Sequence, residues 1–336
     1  MTALRILSIG PGVTVQDQGR PGYIAQGLSR GGAADVLALA EGAALLRQSA
    51  GLAALEMAGF GGCFSADAPL RIALTGAPMK ATIDGVAVEW NASHTLPAGA
   101  VLQIGGAQAG VYGYLSVGGG IDVPKVLGAR ATHLAAGIGA VLQAGQVLPI
   151  GGDGGGPVGM ALDVADRFNG GPARVLASLQ TALFADADLT RFAQTEFRRD
   201  TRANRQGVRL VPQGGGFGLS AGQSILSEII TPGDIQIPGD GAPYILLPEA
   251  QTTGGYPRIG TVIPADLPRL AQTPAGAALR LSFVTLDEAL DAQRKYLQSI
   301  AALPRLCAPR LRDPALMGDL LSYQLISGMI TGVEDI

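Results

Sequence analysis

Apolar residues along this chain come in short runs or in alternation with polar ones, and most runs stop at Gly, Pro, Asp or Asn. That pattern belongs to short strands joined by tight turns. It predicts strands in LRILSIG (4–10), LRIALTG (70–76), AVLQIGG (100–106), YLSVGG (114–119), YILLP (244–248) and LRLSF (279–283). Between MKATI and VAVEW stand Asp84 and Gly85, which tolerate the positive φ of a type I′ turn, so a hairpin is expected there. Helical spacing is confined to a few stretches. Asp35 to Arg47 (DVLALAEGAALLR) has it, with Asp35 placed to cap the N-terminus. Leu189 to Thr195 is a second, and Asp287 to Ala302 (DEALDAQRKYLQSIAA) opens on acidic residues that suit a helix start. Beyond Pro304, ALMGDLLSYQLISGM reads as one more amphipathic helix.

The chain also echoes itself. LPAGAVLQI (96–104) returns as TPAGAALRL (273–281), with QAGQVLPI (143–150) a looser third copy. Two readings stand: a common turn-into-strand pattern, or two related β-barrels each carrying a copy. Length allows the second, because 336 residues hold about two domains. By composition the seam is GGDGGGPVG (151–159), which reads as a flexible linker.

Composition narrows the partners. Glycine supplies 50 residues, about twice the usual share, and charged residues only 15% against roughly 25% in an average domain. Such a chain suits tight turns, and equally a surface partly covered by a partner. Net charge is −3 and the Arg198–Arg205 stretch is broken by Asp200, so no basic face for nucleic acid is expected. No apolar run approaches the ~18 residues of a membrane span, and the apolar start is too short for a signal peptide. Cys63 and Cys307 are distant singletons, which fits a reducing, cytoplasmic setting.

Catalytic motifs are sparse. Gly154, Gly156 and Gly159 match GxGxxG formally, but Pro157 interrupts them and no strand–turn–helix follows. The sequence holds no GxxxxGK[ST], GxSxG or HExxH. Met79-Lys80 lacks the second Met of a biotin-carrier hairpin, so no covalent biotin is expected. His94 and His133 stand alone, without metal-ligand neighbours, and no metal site is expected.

Three polar clusters remain. TVQDQGRPGY (14–23) crowds Gln16, Asp17 and Arg20 into one turn; ANRQGVRL (203–210) places Asn204, Arg205 and Arg209 around Gly207. QTTGGYPRIGTV (251–262) puts Gln251, Thr252, Thr253, Gly254 and Tyr256 between two apolar strands, more special residues than a hairpin tip requires. Taken singly, each reads first as a structural turn, with Arg on carbonyls and Asp on N–H groups. Taken together, they suggest amides, hydroxyls and guanidinium groups converging in one cleft on a small anionic or amide-bearing ligand.

In this order, and with LTGA (74–77), GYLSVGGGIDVPKVLGARATHL (113–134) and QTTGGYPRIGTVIPADLPRLAQ (251–272), the clusters resemble the family of the 5-oxoprolinase C subunit. That family is also described as allophanate-hydrolase-subunit-2-like or biotin-dependent-carboxyltransferase-like. The resemblance covers roughly residues 5 to 290. It implies a mainly β protein with two cyclophilin-like β-barrel domains, at 1–170 and 171–290, followed by a helical C-terminal extension at 291–336. It implies two partners of the same complex, one like the oxoprolinase B subunit and one a lactam-utilisation-like A subunit. The implied reaction converts 5-oxo-L-proline, ATP and water to L-glutamate, ADP and phosphate, with ATP (and Mg) bound by the complex. Gln16, Asp17, Arg20, Asn204, Arg205, Gln251, Thr252, Thr253, Gly254 and Tyr256 are the expected substrate-binding residues.

The sequence departs from the family pattern at several points. GGAAD (31–35) stands for SGAMD, ANRQG (203–207) for SNRMG, Ser178-Leu179-Gln180 for Gly-Pro-Gln, and His133 for Tyr. Hydroxyls are lost near the expected cleft. Two other functions fit the same relationship: a carboxyltransferase component of a biotin-dependent urea or amide carboxylase, and a non-catalytic regulator of a sensor kinase.

Overall fold

The computed structural model describes residues 2–219 and 225–310. Strands dominate and helix makes up 19% of it. All six expected strands form, and Asp84 and Gly85 turn the Met79–Ile83/Val86–Val88 hairpin at φ 47° and 81°.

The N-terminal unit is built from two sheets. One runs in the order Val147–Pro149, Ala3–Ile9, Phe60–Ala66, Val101–Ala107, Met79–Ile83, Val86–Val88. The other runs Thr14–Gln16, Ala54–Ala58, Tyr112–Val117, Leu70–Gly76, Ala92–Leu96, Met160–Ala161, Ala308–Pro309. Leu4, Ile6, Leu55, Met57, Phe64, Ile72, Leu74, Leu102 and Leu115 form one buried cluster from both sheets. The second unit is a closed seven-stranded barrel, ordered Gly171–Leu176, Arg258–Val262, Asp234–Gln236, Tyr244–Leu246, Gly207–Pro212, Glu196–Asn204, Ala278–Phe283. Phe192, Phe197 and Phe217 stack in its core with centroids 5.3–6.0 Å apart. The PAG echoes at 96–104 and 273–281 each turn into a strand, one per unit. The third copy also does so, inside the first unit.

Helix α1 (Val36–Leu45) begins where expected, with Asp35 Oδ1 accepting from the N–H of Ala38 at 3.1 Å. Every residue from Ala38 to Leu45 is buried, since the helix lies on the Leu70–Gly76 and Tyr112–Val117 strands and is covered by the long helix near the C-terminal end. Such a position demands a helix apolar on nearly every side, and the one exception, Glu41, is paired with Arg167. Gly42 permits the close approach: a Cβ there would lie 2.4 Å from Ser116 Oγ. Helix α2 (Asp186–Gln194) covers one end of the barrel, and the six-residue α3 (Leu267–Gln272) escapes the sequence pattern. The long helix, α4 (Leu286–Leu306), starts at a Thr285/Glu288 capping box.

One boundary expectation changes. The glycine run 151–159 is not a free linker between the units. Asp153 ties it down by accepting from Arg71 Nε at 2.8 Å and from Gly155 N at 3.0 Å. Met160–Ala161 then still pairs with the first unit's sheet, and the barrel starts only at Gly171. The helical C-terminal segment forms, beginning at Leu286, and up to residue 310 it packs on the first unit. Helix α4 places Ile300, Leu303 and Cys307 against Ala40, Ala44 and Leu45, and Ala308–Pro309 pairs with Met160–Ala161. The expected helix beyond residue 314 lies outside the described residues.

Candidate functional site at the junction of the two units

Arg205 sits in the two-residue turn between the Glu196–Asn204 and Gly207–Pro212 strands and reaches out of the barrel into the first unit. Its Nη1 donates to Glu56 Oε1, its Nη2 to Gly32 O, and its Nε to Glu249 Oε1 at 2.5 Å. Burial alone would lower its pKa; the carboxylates of Glu56 and Glu249 outweigh that and raise it.

From there a chain of buried polar contacts crosses the seam. Glu56 Oε2 accepts from Ala34 N at 2.8 Å and from Tyr114 Oη at 2.7 Å, and Tyr114 Oη accepts from Asp35 N at 2.8 Å. Asp35 Oδ2 accepts from Arg167 Nε at 2.8 Å and from Gln272 Nε2 at 2.9 Å. Arg167 also forks onto Glu41, at 2.8 and 2.7 Å. Gln272 Oε1 accepts the N–H groups of Val111 and Tyr112, both at 2.9 Å. Burial lifts the Glu41 carboxyl to about 7, against the pull of Arg167.

The first polar cluster lies behind this seam as a staple. Asp17 accepts from Gly19 N at 2.8 Å and from Arg130 N at 2.6 Å. Gln16 Nε2 donates to Thr14 Oγ1 and Thr132 O, and Arg20 donates to the carbonyls of Val126 and Ala131. Their shared product is the shape of the 126–135 loop. His133 holds its end: Nδ1 accepts from Ala136 N and Nε2 faces Ser29 Oγ at 2.9 Å. Burial lowers the His133 pKa, so the ring is neutral and its 3.9 Å approach to Glu249 is not an ion pair.

Two adjoining pockets open at the Arg205 side of the junction. The larger, about 560 Å³, lies between the units. Leu134 and Ala135, with Tyr112 and the Gly12 and Gly59 backbone, face Arg199, Asn204, Arg205, Gln206 and Glu249 across it. The smaller, about 280 Å³, is in the barrel and is lined by Gln206, Gln236, Tyr244, Gln251 and Tyr256 with apolar Ile230 and Leu246. Gln206 borders both, so they adjoin. In the smaller one Gln236 Nε2 is buried with no partner among the described residues.

The expectation of one cleft lined by all three clusters therefore does not hold. Asn204 and Arg205 border the larger pocket, and Gln251 and Tyr256 the smaller. Thr253 and Gly254 pair with the Glu228–Ile229 strand, and Thr252 is buried beneath, its carbonyl accepting from Ile230 N. Gln16, Asp17 and Arg20 line neither pocket. The Arg20 guanidinium is fully buried, and loop carbonyls accept from its Nε and Nη2, while Nη1 has no partner among the described residues.

Sequence reasoning missed Glu56, Glu249, Arg167, Tyr112 and Arg199. A signal existed for two of them. Glu56 interrupts an apolar strand, and Arg199 stands two residues after Phe197, which turns it to the barrel's inner side by strand alternation. Among the described residues no group of three His, Cys, Asp or Glu side chains is placed to hold a metal, and no helix is long and apolar enough to cross a membrane.

Comparison with known proteins comes to the same architecture. The family model for the carboxyltransferase domain, subdomain A and B, matches residues 26–283. The chain is 35% identical to the C subunit of 5-oxoprolinase from Escherichia coli over 305 residues, covering 89% of this chain and 97% of that protein. The solved structure of TTHA0988 superposes on 85% of the chain with a TM-score of 0.76 and 30% identity; this chain spans 56% of that one. The urea carboxylase of Kluyveromyces lactis shares the fold over 93% of this chain and 31% of its own, with a TM-score of 0.79 and 23% identity.

Proposed function

The chain belongs to the family of the 5-oxoprolinase C subunit, built on the carboxyltransferase domain with its subdomains A and B, and from that premise we propose that it is the C subunit of an ATP-dependent 5-oxoprolinase. The observation carrying this reading is the 35% identity across 97% of the Escherichia coli protein. The assembled enzyme converts 5-oxo-L-proline, ATP and water to L-glutamate, ADP and phosphate. A γ-lactam is a stable amide; moving the γ-phosphoryl group of ATP to its oxygen makes the ring carbon electrophilic. One water adds there, the ring C–N bond breaks with the nitrogen taking a proton to leave an acyl phosphate, and a second water cleaves that to carboxylate and phosphate. Donors preorganised around that oxygen favour the developing charge.

In this reading the paired pockets at the junction hold the cyclic amide, whose N–H and C=O suit Asn204, Gln206, Gln236 and Gln251. ATP and its Mg are held by the complex and not by a phosphate loop of this chain. The glycine run 151–159 does not fit a phosphate, because the Asp153 carboxylate already occupies the Gly155 N–H. A protein like the oxoprolinase B subunit is the immediate partner, and a lactam-utilisation-like A subunit completes ring opening.

Co-expression with the B-type partner, followed by addition of the A-type one, tests the assignment. The expected result is a complex stable in gel filtration and ATP hydrolysis that depends on 5-oxoproline and on all three proteins. ATP hydrolysis driven by urea or another amide, requiring bicarbonate and a biotin-carrier chain, favours the carboxyltransferase alternative that the family model and the urea carboxylase fold keep in view. In this chain Lys80 lies within the Met79–Ile83 strand and not at a hairpin tip, so the carrier would be another polypeptide.

A further inference from the structure

Arg199 is the one guanidinium bordering the inter-unit cleft that the protein leaves without a partner among the described residues. It is buried, its Nε is sealed off with no acceptor, and neither Nη1 nor Nη2 bonds to any described residue. The other cations at the seam are matched: Arg205 has Glu56 and Glu249, and Arg167 has Asp35 and Glu41. Those carboxylates are committed, so none is free to turn towards Arg199. Leaving a buried cation unmatched destabilises a fold, and buried polar groups without partners are rare in native proteins. The strand alternation that seats Phe197 in the barrel core turns Arg199 the same way, and the cleft of about 560 Å³ opens beside it. Tyr112, from the opposite unit, borders the same cleft, and its hydroxyl makes no hydrogen bond to a described residue.

We propose that Arg199, with the Tyr112 hydroxyl, is the subsite for the carboxylate of a small cyclic amide bound in the inter-unit cleft. A planar guanidinium takes a carboxylate through two parallel N–H donors, and a neutral phenol adds a third. Burial holds the Tyr112 hydroxyl protonated, its pKa pushed up to about 12, so it is a donor at neutral pH. The ligand's charge supplies the counter-ion that the fold withholds, which selects an acidic lactam over a neutral one. The inference rests on the proposed lactam site and adds which substrate group is read, and by which residue.

The test is calorimetric titration of the full chain, alone and as its complex with the B-type partner. The ligands are 5-oxo-L-proline, 2-pyrrolidinone (the same ring without the carboxylate) and inorganic phosphate. The expected result is binding of 5-oxo-L-proline about tenfold to hundredfold tighter than 2-pyrrolidinone, the range for a charge-assisted hydrogen-bonded pair. Arg199→Gln abolishes that preference and Arg199→Lys keeps part of it. The melting temperature of Arg199→Gln stays level or rises, because an unmatched buried charge is removed; a fall of about 5 °C or more marks a structural role and overturns the proposal. Equal affinity for the two lactams, unchanged by Arg199→Gln, overturns the carboxylate subsite while leaving the lactam reading intact. Phosphate binding that outcompetes 5-oxoproline and depends on Arg199 overturns it in favour of a phosphate site. No binding of any lactam to chain or complex overturns both.

Discussion

At the scale of single residues, the junction is held by ion pairs whose members are hard to remove singly. Arg205→Met leaves Glu56 and Glu249 buried without their cation, a loss of about 3–5 kcal/mol in chemical denaturation. A cost below about 1 kcal/mol shows those carboxylates find other partners. Glu41 yields a pH prediction. Its carboxyl is lifted from the ordinary value of 4.5 to about 7 by burial, so between those values the folded chain binds more protons than the unfolded one. Stability from this group is therefore present below pH 4.5 and lost as pH rises towards 7. Glu41→Gln cannot titrate and removes that slope, so its melting temperature gains on the parent from about pH 5 to about pH 8. A gap independent of pH rejects the assignment. The site was only partly legible at this scale. The turn motifs pointed to the junction, but a motif does not say whether an Arg or Asp serves the backbone or a ligand. Arg20 and Asp17 serve the 126–131 backbone, whereas Arg199, in no motif, is unmatched beside the cleft because of where its strand places it.

At the scale of elements, α1 shows packing overriding propensity. Alanine in place of Gly42 gains about 1 kcal/mol of helix propensity, yet its Cβ would sit 2.4 Å from Ser116 Oγ and 3.4 Å from Thr75 Oγ1. Overpacking costs of about 1–3 kcal/mol outweigh the gain. Gly42→Ala is expected to lower the melting temperature, and a more stable variant sinks the claim that α1 lies tight on its sheet. The strands were legible because two-residue periodicity and glycine ends are local signals, and α1 because Asp35 caps a helical stretch. Helix α3 was not: six residues containing Pro268 are too few for a periodic pattern. The two-residue strands Met160–Ala161 and Ala308–Pro309 were invisible too, since their pairing joins positions about 150 residues apart. The glycine run misled for a related reason. Composition reports chain freedom, while Arg71, far away in sequence, decides whether that freedom survives.

At the scale of the whole molecule, the question is whether two units behave as two. Interfaces between domains in one chain are commonly modest and polar, and the units then move and unfold separately. Here a single apolar cluster takes Ala33, Ala34, Ala38, Leu39, Tyr112 and Tyr114 from the first unit together with Phe197, Leu210, Ile235 and Leu281 of the barrel. The polar seam adds Arg205, Glu249 and Gln272 from the barrel side, each with partners in the other unit. Separating the units exposes that apolar surface and strands buried charges, so neither half is expected to be stable without the other. The full chain is therefore expected to melt in one calorimetric transition whose measured enthalpy equals its van't Hoff enthalpy. The midpoint should shift little between about 0.1 and 1 M salt, because buried pairs are poorly screened. Arg205→Met, by loosening the seam more than either core, should lower or split that transition. Two transitions in the unaltered chain, or a barrel of residues 171–283 that folds by itself, would instead mean that the junction is a contact between independent domains. The inter-unit cleft would then change shape as they move.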